Sequence, residues 1–448
     1  MPQRYESKPT DPAPLAQPLH FSFAKRSAPN RILKGAMSEA LATWSPTDLD
    51  ARGIPSKELI NVYRHWGEGE IGLILTGNVQ PDFHQLEAPG NTIIPPNAPF
   101  SGERFEAFAE MAKAAKQHGS LMIAQVSHPG RQVNDRLNPD PVSASDVQLT
   151  AEFFGQKFGK PHAASESEIA AIVEQFAFIA EYLDKAGYDG IQLHGAHGYL
   201  LSQFLSTRTN LRTDSYGGSI TNRTRIVVEV ATAIRKRVSP SFILGIKLNS
   251  VEFQGKHFSP EEARDIVQIL EANRFDFVEL SGGTYENLAF QHEKESTRKR
   301  EAFFIEFAEK IVPVLKETKA YITGGFRTVR GMVDALDTVD GVGLGRPLCA
   351  EPMLAKDILS GKVSSVIKYA PAAEDNMLLG TIMGGTQIRQ LGKDRQPFDH
   401  SDEEQVQAFQ KDLETFMGMK MQDEKMESYG YVDLTFGDVP YVTAQVNA

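Results

Sequence analysis

Two histidines and a tyrosine lie within six residues of one another at the end of a short apolar run. His194, His197 and Tyr199 follow the run Gly190–Leu193, which has the character of a buried strand. Two neutral imidazoles in this spacing can donate N–H groups to one oxygen atom, and a phenol nearby can supply a proton. A carbonyl oxygen held by both rings would be polarised, and a double bond conjugated to it would become electron-poor at its β-carbon.

Two other interpretations of this trio stay open from the residues alone. An isolated H-x-x-H pattern is more often a pair of ordinary loop histidines, with the tyrosine at an interface. Zinc would need a third or fourth ligand, and the sequence contains neither an HExxH motif nor a cysteine cluster to supply one. We therefore expect no metal site here, and the choice between loop histidines and catalytic histidines depends on the surrounding sequence.

The composition limits the class of protein. The chain has 448 residues, 41% of them hydrophobic and 23% charged, with a formal net charge of −11. An acidic chain is a poor ligand for nucleic acids or anionic membranes, so we expect neither as a partner. Cys349 is the only cysteine, which excludes an internal disulfide and a cysteine-held iron–sulfur cluster. No apolar run approaches the roughly 20 residues of a membrane span, and no signal peptide is evident, so we expect a cytoplasmic protein.

Short apolar runs alternate with longer amphipathic segments from Arg31 onward. This pattern predicts an α/β protein, a (β/α)8 TIM barrel with an extended N-terminal arm and a C-terminal extension. A doubly wound sheet is the competing architecture, but no GxGxxG turn follows any of the runs. The eight predicted strands are Ile32–Met37, Ile71–Thr76, Leu121–Val126, Gly190–Leu193, Phe242–Leu248, Phe275–Leu280, Tyr321–Thr323 and Gly341–Leu344.

Three regions are expected along the chain. Residues 1–20 carry five prolines and predict an extended arm. Residues 21–370 form the predicted barrel. Residues 371–448 form an extension with a helix between Asp402 and Glu427 and a segment of strand-like composition from Tyr429 to Val442. The arm and the extension are candidates for packing against the barrel or for a homodimer contact.

Two long motifs resemble the signature of the Old Yellow Enzyme family of flavin-dependent ene-reductases. The first runs from HGAHGYLLSQFLS at His194 through RTN, RTD, YGGS and NR, which ends at Arg223. The second is QVSHPGR, from Gln125 to Arg131. Their length makes a chance match improbable, and the resemblance covers about residues 20–365. It favours the catalytic interpretation of His194, His197 and Tyr199.

The resemblance implies a site for FMN at the carboxyl ends of the strands. Gln125 would contact the pyrimidine edge of the flavin, and Lys247 would place a positive charge beside it. His128 and Arg131 are expected to be structural hydrogen-bond or ion-pair partners. Glycine-rich turns after the last two strands would hold the phosphate. The implied cofactor-binding residues are Ala36, Met37, Ser38, Asn78, Gln125, Lys247, Gly324, Gly325, Gly345 and Arg346.

The sequence departs from the family pattern at two of these places and at one position close to them. Ala36 stands where relatives have a proline, and Lys247 stands where many have arginine. Lysine keeps the positive charge but lacks the planar fork of a guanidinium group. Ala40 stands where some relatives have a tyrosine that contacts the substrate, so other segments, such as Pro81–Pro99, are expected to shape the substrate pocket.

The resemblance also implies a reaction. NADPH or NADH would reduce the flavin and leave, and an α,β-unsaturated carbonyl compound would then bind in the same place, in a ping-pong cycle. His194 and His197 would bind the carbonyl oxygen and Tyr199 would protonate the α-carbon, so these three residues are both the catalytic and the substrate-binding prediction. The alternatives are a dehydrogenase, demethylase or isomerase on the same flavin barrel, and a barrel that acts only as a binding or assembly protein.

Overall fold

A closed barrel of parallel strands forms the body of the protein. The computed structural model describes residues 2–150, 157–249, 260–281, 305–374 and 376–442. Within these ranges eight parallel strands pair in chain order, and the last pairs with the first, which closes the ring. The barrel strands are β3 (Ile32–Lys34), β4 (Leu73–Gln80), β6 (Leu121–Val126), β9 (Gly190–Gly195), β10 (Ile243–Asn249), β11 (Phe277–Ser281), β12 (Lys319–Thr323) and β13 (Gly341–Leu344). The prediction of a (β/α)8 TIM barrel is therefore confirmed.

Short strands complete the sheet structure at the two ends of the barrel. An antiparallel hairpin of β1 (Leu19–Phe21) and β2 (Arg26–Ala28) precedes the first barrel strand. The strand β5 (Thr92–Ile93) pairs in parallel with the end of β4. The parallel pair β7 (Val142–Ser143) and β8 (His162–Ala163) lies in the connection after β6.

Helices connect the strands and cover the outside of the ring. The helices that follow barrel strands are α1 (Lys57–Glu68), α2 (Glu103–Lys116), α3 (Glu166–Lys185), α4 (Leu200–Leu205), α5 (Ile220–Arg235), α6 (Pro260–Ala272), α7 (Val329–Ala335), α8 (Pro347–Ala350) and α9 (Leu354–Leu359). Between β11 and β12, residues 305–311 are helical and lead into a 3-10 turn. The helix α3 begins with a capping box, in which Ser165 and Glu168 each bind the other's backbone N–H through their side chains.

The barrel interior has an apolar lower layer and a polar upper layer. Inward-facing residues near the strand starts pack against the β1–β2 hairpin, whose Phe21 is fully buried, so the hairpin closes this end. Side chains alternate between the two faces of a strand, so the inward position two residues further along lies one layer higher. At that level the interior becomes polar, with Gln125, Gln192, Lys247 and Glu279 all buried. This polar layer faces the carboxyl-end opening of the barrel.

The predicted strand ends differ from the observed ones mainly on the carboxyl side. The strand predicted over Ile71–Thr76 is β4, which runs to Gln80 and has an irregularity in its register between Leu75 and Asn78. The strand predicted over Gly190–Leu193 is β9, which extends to Gly195. Both extensions are polar or glycine-rich and carry no apolar periodicity, because they line the opening of the barrel and not its core.

The arm and the extension both pack on the barrel of their own chain. Gln3 accepts a backbone hydrogen bond from Lys368 at 2.7 Å, and Arg4 pairs with Glu351. The extension contains α10 (Pro371–Glu374), α11 (Met377–Gly392) and α12 (Glu403–Gln422), and α11 packs against α1. The helix expected between Asp402 and Glu427 is α12, with Asp402 as its N-cap. Residues 429–442 are irregular apart from one bridge between Arg395 and Pro440.

Among the residues that the structure describes, no helix combines the length and the apolar character needed to cross a membrane.

Candidate active site

A cavity of about 140 Å³ lies at the carboxyl ends of strands β3, β4, β6, β9 and β10. This is the end of the barrel where the sequence predicted the functional groups. The cavity is lined by Ala36, Met37, Ser38, Gly77, Asn78, Gln125, His194, His197, Tyr199 and Lys247. Nine of these ten residues were named from the sequence, so the fold brings most of the candidate site residues together at one place.

The two histidines lie side by side in the wall of the cavity and are hydrogen-bonded to each other. The Nε2 atom of His194 lies 2.9 Å from the Nδ1 atom of His197. His194 is part of strand β9, and His197 lies in the turn after it with a φ of 60°, in the left-handed region that non-glycine residues rarely adopt. That strained conformation turns the His197 ring back toward His194. The arrangement puts two ring nitrogens within reach of a single ligand atom.

Both rings are neutral at physiological pH. Burial, with the neighbouring His197 and Lys247, holds the pKa of His194 well below its ordinary value. Burial and the positive charge of Lys247 lower the pKa of His197 to about 3. A neutral imidazole carries one N–H and one bare nitrogen. The pair can therefore bind an oxygen atom through N–H donors without adding positive charge to the site.

Tyr199 lies directly beside the histidine pair. Its ring centroid is 4.4 Å from that of His194, and the side chain is almost completely buried. The residue also stands at the start of α4, so the end of β9 and the turn that follows it carry all three side chains of the trio. Its phenol hydroxyl can donate a proton to an atom bound in the cavity.

A chain of hydrogen bonds crosses the polar layer beneath the cavity. Gln125 donates to Gln192 at 2.7 Å, and Gln192 donates to one carboxylate oxygen of Glu279 at 2.7 Å. The other oxygen of Glu279 accepts from the ammonium of Lys247 at 2.9 Å. The positive charge of Lys247 therefore has a buried negative partner, and four strands of the barrel are linked through their inward-facing side chains.

The turn after β3 is held against the turn after β4 by two carboxylates. The Ser38 hydroxyl donates a hydrogen bond to the carboxylate of Glu87 at 3.1 Å, and this carboxylate also accepts a hydrogen bond from the side-chain amide of Asn91. Glu39 accepts from the backbone N–H of Gly77 at 2.8 Å and from the hydroxyl of Tyr63. Gly77 has no room for a side chain, because a Cβ atom there would lie 2.1 Å from the Glu39 carboxylate. These contacts fix the backbone at the edge of the cavity.

The four residues expected to hold the phosphate lie outside the lining of this cavity, at the ends of β12 and β13. Gly324 and Gly325 have φ values of 147° and 78°, which glycine adopts most readily. A Cβ on Gly345 would lie 3.5 Å from the sulfur of Met37, so this turn adjoins the cavity through Met37. The guanidinium of Arg346 lies 5.6 Å from the ring of Tyr369.

Helix α11 of the extension packs against the same turn. A Cβ on Gly384 would lie 3.4 Å from the terminal carbon of Met37 and 3.6 Å from Arg346, and one on Gly380 would lie 2.7 Å from the Arg346 guanidinium. The sequence showed no function for this region. In the structure, the glycines of α11 let the extension approach the side chains beside the cavity.

The lining suits the isoalloxazine ring of a flavin. Ala36 and Met37 offer an apolar surface, while Gln125 and Lys247 offer an amide and a cation for a polar ring edge. Gln125 uses one N–H on Gln192, which leaves its second N–H and its carbonyl oxygen for a ligand. Lys247 likewise uses one of its three N–H groups on Glu279. Among the described residues no group of three or more metal-ligating side chains could hold a metal ion.

Five residues around the cavity were not identified from the sequence. Ser127 and Ser281 contact the outer nitrogens of the two histidines, and Glu87 contacts Ser38. Gln192 and Glu279 are polar residues inside otherwise apolar strands, which was the available signal. His128 and Arg131 of the QVSHPGR motif are buried; His128 accepts from the backbone of Gly130, and Arg131 donates to carbonyls of the loop after it.

The sequence matches a family profile and is similar to known proteins over most of its length. The sequence profile of the NADH:flavin oxidoreductase / NADH oxidase family matches residues 15–364. The NADH-dependent flavin oxidoreductase nadA of Aspergillus parasiticus is 52% identical over 422 residues, which cover 94% of this chain and 95% of the relative. The NADH-dependent flavin oxidoreductase iliE of Hypocrea jecorina is 30% identical over 388 residues, covering 81% and 92% of the two chains.

Solved structures share the fold at lower sequence identity. Morphinone reductase superimposes with a TM-score of 0.64 at 20% identity and covers 82% of this chain and 94% of its own. A 2-naphthoyl-CoA reductase complex gives a TM-score of 0.67 at 20% identity, covering 78% of this chain and 52% of the other. At this level of identity the likeness establishes the barrel architecture.

Proposed function

The chain belongs to the NADH:flavin oxidoreductase / NADH oxidase family, and from that premise we propose that it is an ene-reductase for α,β-unsaturated carbonyl compounds. The observation that carries this proposal is the facing pair of His194 Nε2 and His197 Nδ1, 2.9 Å apart and beside Tyr199. Two neutral N–H donors and one proton donor in a buried cavity are the groups that reduction of a conjugated double bond requires from a protein.

We place FMN in the cavity above the polar layer. Gln125 and Lys247 would hold its pyrimidine edge, Ala36, Met37 and Ser38 would lie beside the ring, and the turns at Gly324, Gly325, Gly345 and Arg346 would hold its phosphate through backbone N–H groups and one cation. A bound FMN would supply the hydride chemistry, which is acceptance of hydride from a nicotinamide and its delivery to the β-carbon of the substrate.

The protein's own part is to bind the oxygen and to move one proton. The N–H groups of His194 and His197 would bind the substrate carbonyl oxygen and stabilise the negative charge that develops there as the β-carbon receives hydride. Tyr199 would then donate its phenolic proton to the α-carbon. Because both rings are neutral, the oxygen receives hydrogen bonds and not a full proton, which keeps the α-carbon as the site of protonation.

The reductant and the substrate would use the cavity in turn, in a ping-pong cycle. The one GxGxxG match in the sequence, Gly67–Gly72, leads from the end of α1 into β4 and so lacks the strand-to-helix context of a dinucleotide fold. A nicotinamide would therefore have to reach the flavin through the same opening as the substrate. The relatives named NADH-dependent favour NADH over NADPH as the donor.

A two-step absorbance experiment tests this proposal. The FMN-loaded protein is mixed with NADH in the absence of oxygen, and cyclohexenone is then added. We expect the flavin absorbance to bleach with NADH and to return with the enone. If the flavin absorbance bleaches with NADH but does not return with the enone, the protein is a flavin oxidoreductase that does not reduce enones. That result would favour a dehydrogenase or another reaction on the same barrel. Failure to bind FMN would overturn the cofactor assignment.

A further inference from the structure

The two histidines can act together only when each ring carries its single proton on the inward nitrogen. The inward nitrogens are Nε2 of His194 and Nδ1 of His197, which face each other at 2.9 Å. In the hydrogen bond between the two rings, one of these atoms donates and the other accepts. A ligand oxygen placed between the rings needs N–H groups from both. Binding therefore depends on which tautomer each ring adopts.

A hydroxyl group lies against the outer nitrogen of each ring. The Ser127 Oγ atom is 3.1 Å from Nδ1 of His194, and the Ser281 Oγ atom is 3.3 Å from Nε2 of His197. A hydroxyl can donate to a bare ring nitrogen, and a ring nitrogen that accepts such a bond cannot itself carry the proton. Each serine can therefore hold the proton of its histidine on the inward side.

His194 has a second partner with the opposite preference. The Asn78 carbonyl oxygen lies 3.0 Å from the same Nδ1 atom, and a carbonyl oxygen can only accept. The amide nitrogen of Asn78 faces the carboxylate of Glu87 at 3.5 Å, which favours this orientation of the amide. Asn78 thus draws the proton of His194 to the outer nitrogen, where it cannot reach a ligand in the cavity. His197 has no comparable competitor among the described contacts of its outer nitrogen.

We propose that Ser127 and Ser281 are positioning residues that set the tautomers of the histidine pair, so that both rings donate to one ligand oxygen. This inference rests on the proposed function, because it concerns the oxygen-binding step of that reaction. It predicts an asymmetry. Without the Ser127 hydroxyl, only the Asn78 carbonyl contacts Nδ1 of His194, and it favours the proton on that outer nitrogen. Without the Ser281 hydroxyl, no described contact favours the proton on the outer nitrogen of His197, so its inward N–H can persist. Ser127 should therefore matter more than Ser281.

The test measures binding of p-chlorophenol, whose phenolate oxygen resembles the enolate oxygen of the reaction. FMN-loaded wild-type protein is titrated alongside Ser127→Ala, Ser281→Ala and Ser127→Thr. Loss of one hydrogen-bonded partner from a buried group corresponds to roughly a tenfold change in affinity. We expect about this weakening for Ser127→Ala, a smaller one for Ser281→Ala, and recovery in Ser127→Thr, which retains a hydroxyl.

Ser120→Ala is the matched control. Ser120 is also buried, at 2% exposure, but among the described residues its hydroxyl has no hydrogen-bond partner. It lies just before β6, whereas Ser127 lies just after the same strand. This variant should bind p-chlorophenol as the wild-type protein does. FMN affinity and thermal stability are measured for every variant. A variant with lower FMN affinity or lower stability has a wider structural defect, and its p-chlorophenol affinity does not report on the histidine tautomer alone.

Nitrogen NMR of histidine-labelled protein gives a second readout that a structural role would not change. In the p-chlorophenol complex of the wild-type protein, His194 should carry its proton on Nε2 and His197 on Nδ1. In Ser127→Ala, the His194 proton should move to Nδ1. Wild-type binding with an unchanged His194 tautomer in Ser127→Ala would overturn the inference and leave the proposed function intact. Absence of p-chlorophenol binding in the wild-type protein would contradict the proposed function itself.

Discussion

The ammonium of Lys247 and the carboxylate of Glu279 lie 2.9 Å apart in the interior of the barrel, and both side chains are buried. A cation beside the pyrimidine edge of a flavin stabilises the negative charge that reduction adds. Here that cation is already paired with an anion. The pair therefore supplies less net positive charge to the cofactor than an unpaired lysine would.

Glu279→Gln should raise the reduction potential of the bound FMN. The substitution removes the negative charge and keeps the shape of the side chain, so the positive charge of Lys247 is no longer balanced. At an effective dielectric constant of about 20, the change corresponds to roughly 1–2 kcal/mol in favour of the reduced cofactor. A redox titration of the loaded protein against a reference dye measures it.

Glu262→Gln controls for the loss of one charge. Glu262 pairs with Arg223 on the outside of the barrel, away from the cavity. This variant should leave the potential at the wild-type value. An unchanged or lower potential in Glu279→Gln would show that the carboxylate does not offset the lysine.

Tyr199→Phe should separate the two halves of the reaction. The phenyl ring keeps the packing against His194, whose centroid lies 4.4 Å away, but it has no proton to donate. Reduction of the flavin by NADH should keep its wild-type rate, while oxidation by cyclohexenone should slow by about 100-fold or more. Anaerobic stopped-flow absorbance measures both rates. Equal rates for variant and wild type in the enone step would remove Tyr199 from the role of proton donor.

Gly384→Leu should weaken FMN binding. A side chain at this position of α11 points at Met37 and Arg346, with a Cβ atom only 3.4 Å from the methionine. Larger atoms would press on both residues, and we expect at least about a tenfold loss of affinity, since overpacking typically costs about 1–3 kcal/mol. The dissociation constant is measured by the change in flavin fluorescence on binding.

Gly418→Leu is the control for the same substitution in a helix. Gly418 lies in α12, and a Cβ atom there would have no neighbouring heavy atom within 4 Å, so the substitution causes no overpacking at the Cβ. This variant should bind FMN normally. Equal FMN affinity in the two variants would mean that α11 does not bear on the cofactor site.

The barrel, and the grouping of most candidate site residues at one end of it, could be predicted because their signals are local. Apolar runs of strand length alternate with amphipathic helices, and active groups of such barrels lie at the strand ends. His194, His197 and Tyr199 were found in this way, together with the family motifs. The cavity then brings together Gln125 and Lys247, which lie more than a hundred positions apart in the sequence.

The supporting residues could not be predicted because their roles depend on distant partners. The local sequence does not show that the Ser127 hydroxyl lies 3.1 Å from the ring of His194. Nor does it show that the carboxylate of Glu279 pairs with Lys247. The contact of α11 with Met37 also joins segments more than 300 residues apart. In each case the local sequence looks like that of any strand, turn or helix, and the contact exists only in the folded chain.

The protein should lose stability as the pH falls below about 6.5. Burial lowers the pKa of His128 to about 3, so its folded form stays neutral while the unfolded chain takes up a proton near pH 6.5. Between these two values the unfolded state binds more protons than the folded state. The contribution of His128 to the free energy of unfolding is therefore complete above pH 6.5 and declines toward pH 3. One such histidine contributes about 1.4 kcal/mol per pH unit.

His128→Asn should make the melting temperature less dependent on pH between 6.5 and 4.5. The asparagine oxygen can accept the backbone hydrogen bond from Gly130 that the His128 ring accepts, and it does not titrate. The exposed His118, changed to Asn, serves as the control and should leave the slope unchanged. Equal slopes for His128→Asn and the wild-type protein would contradict a buried neutral ring at this position.

In the proposed reaction the histidine pair and Tyr199 direct reduction to the carbon–carbon double bond of an unsaturated carbonyl compound. Product analysis tests this role most directly, after FMN-loaded protein, NADH and cyclohexenone have reacted under argon. We expect cyclohexanone in equal amount to the NADH consumed, and much less of it with His194→Ala. Formation of the allylic alcohol, or NADH consumption without cyclohexanone, would contradict the account.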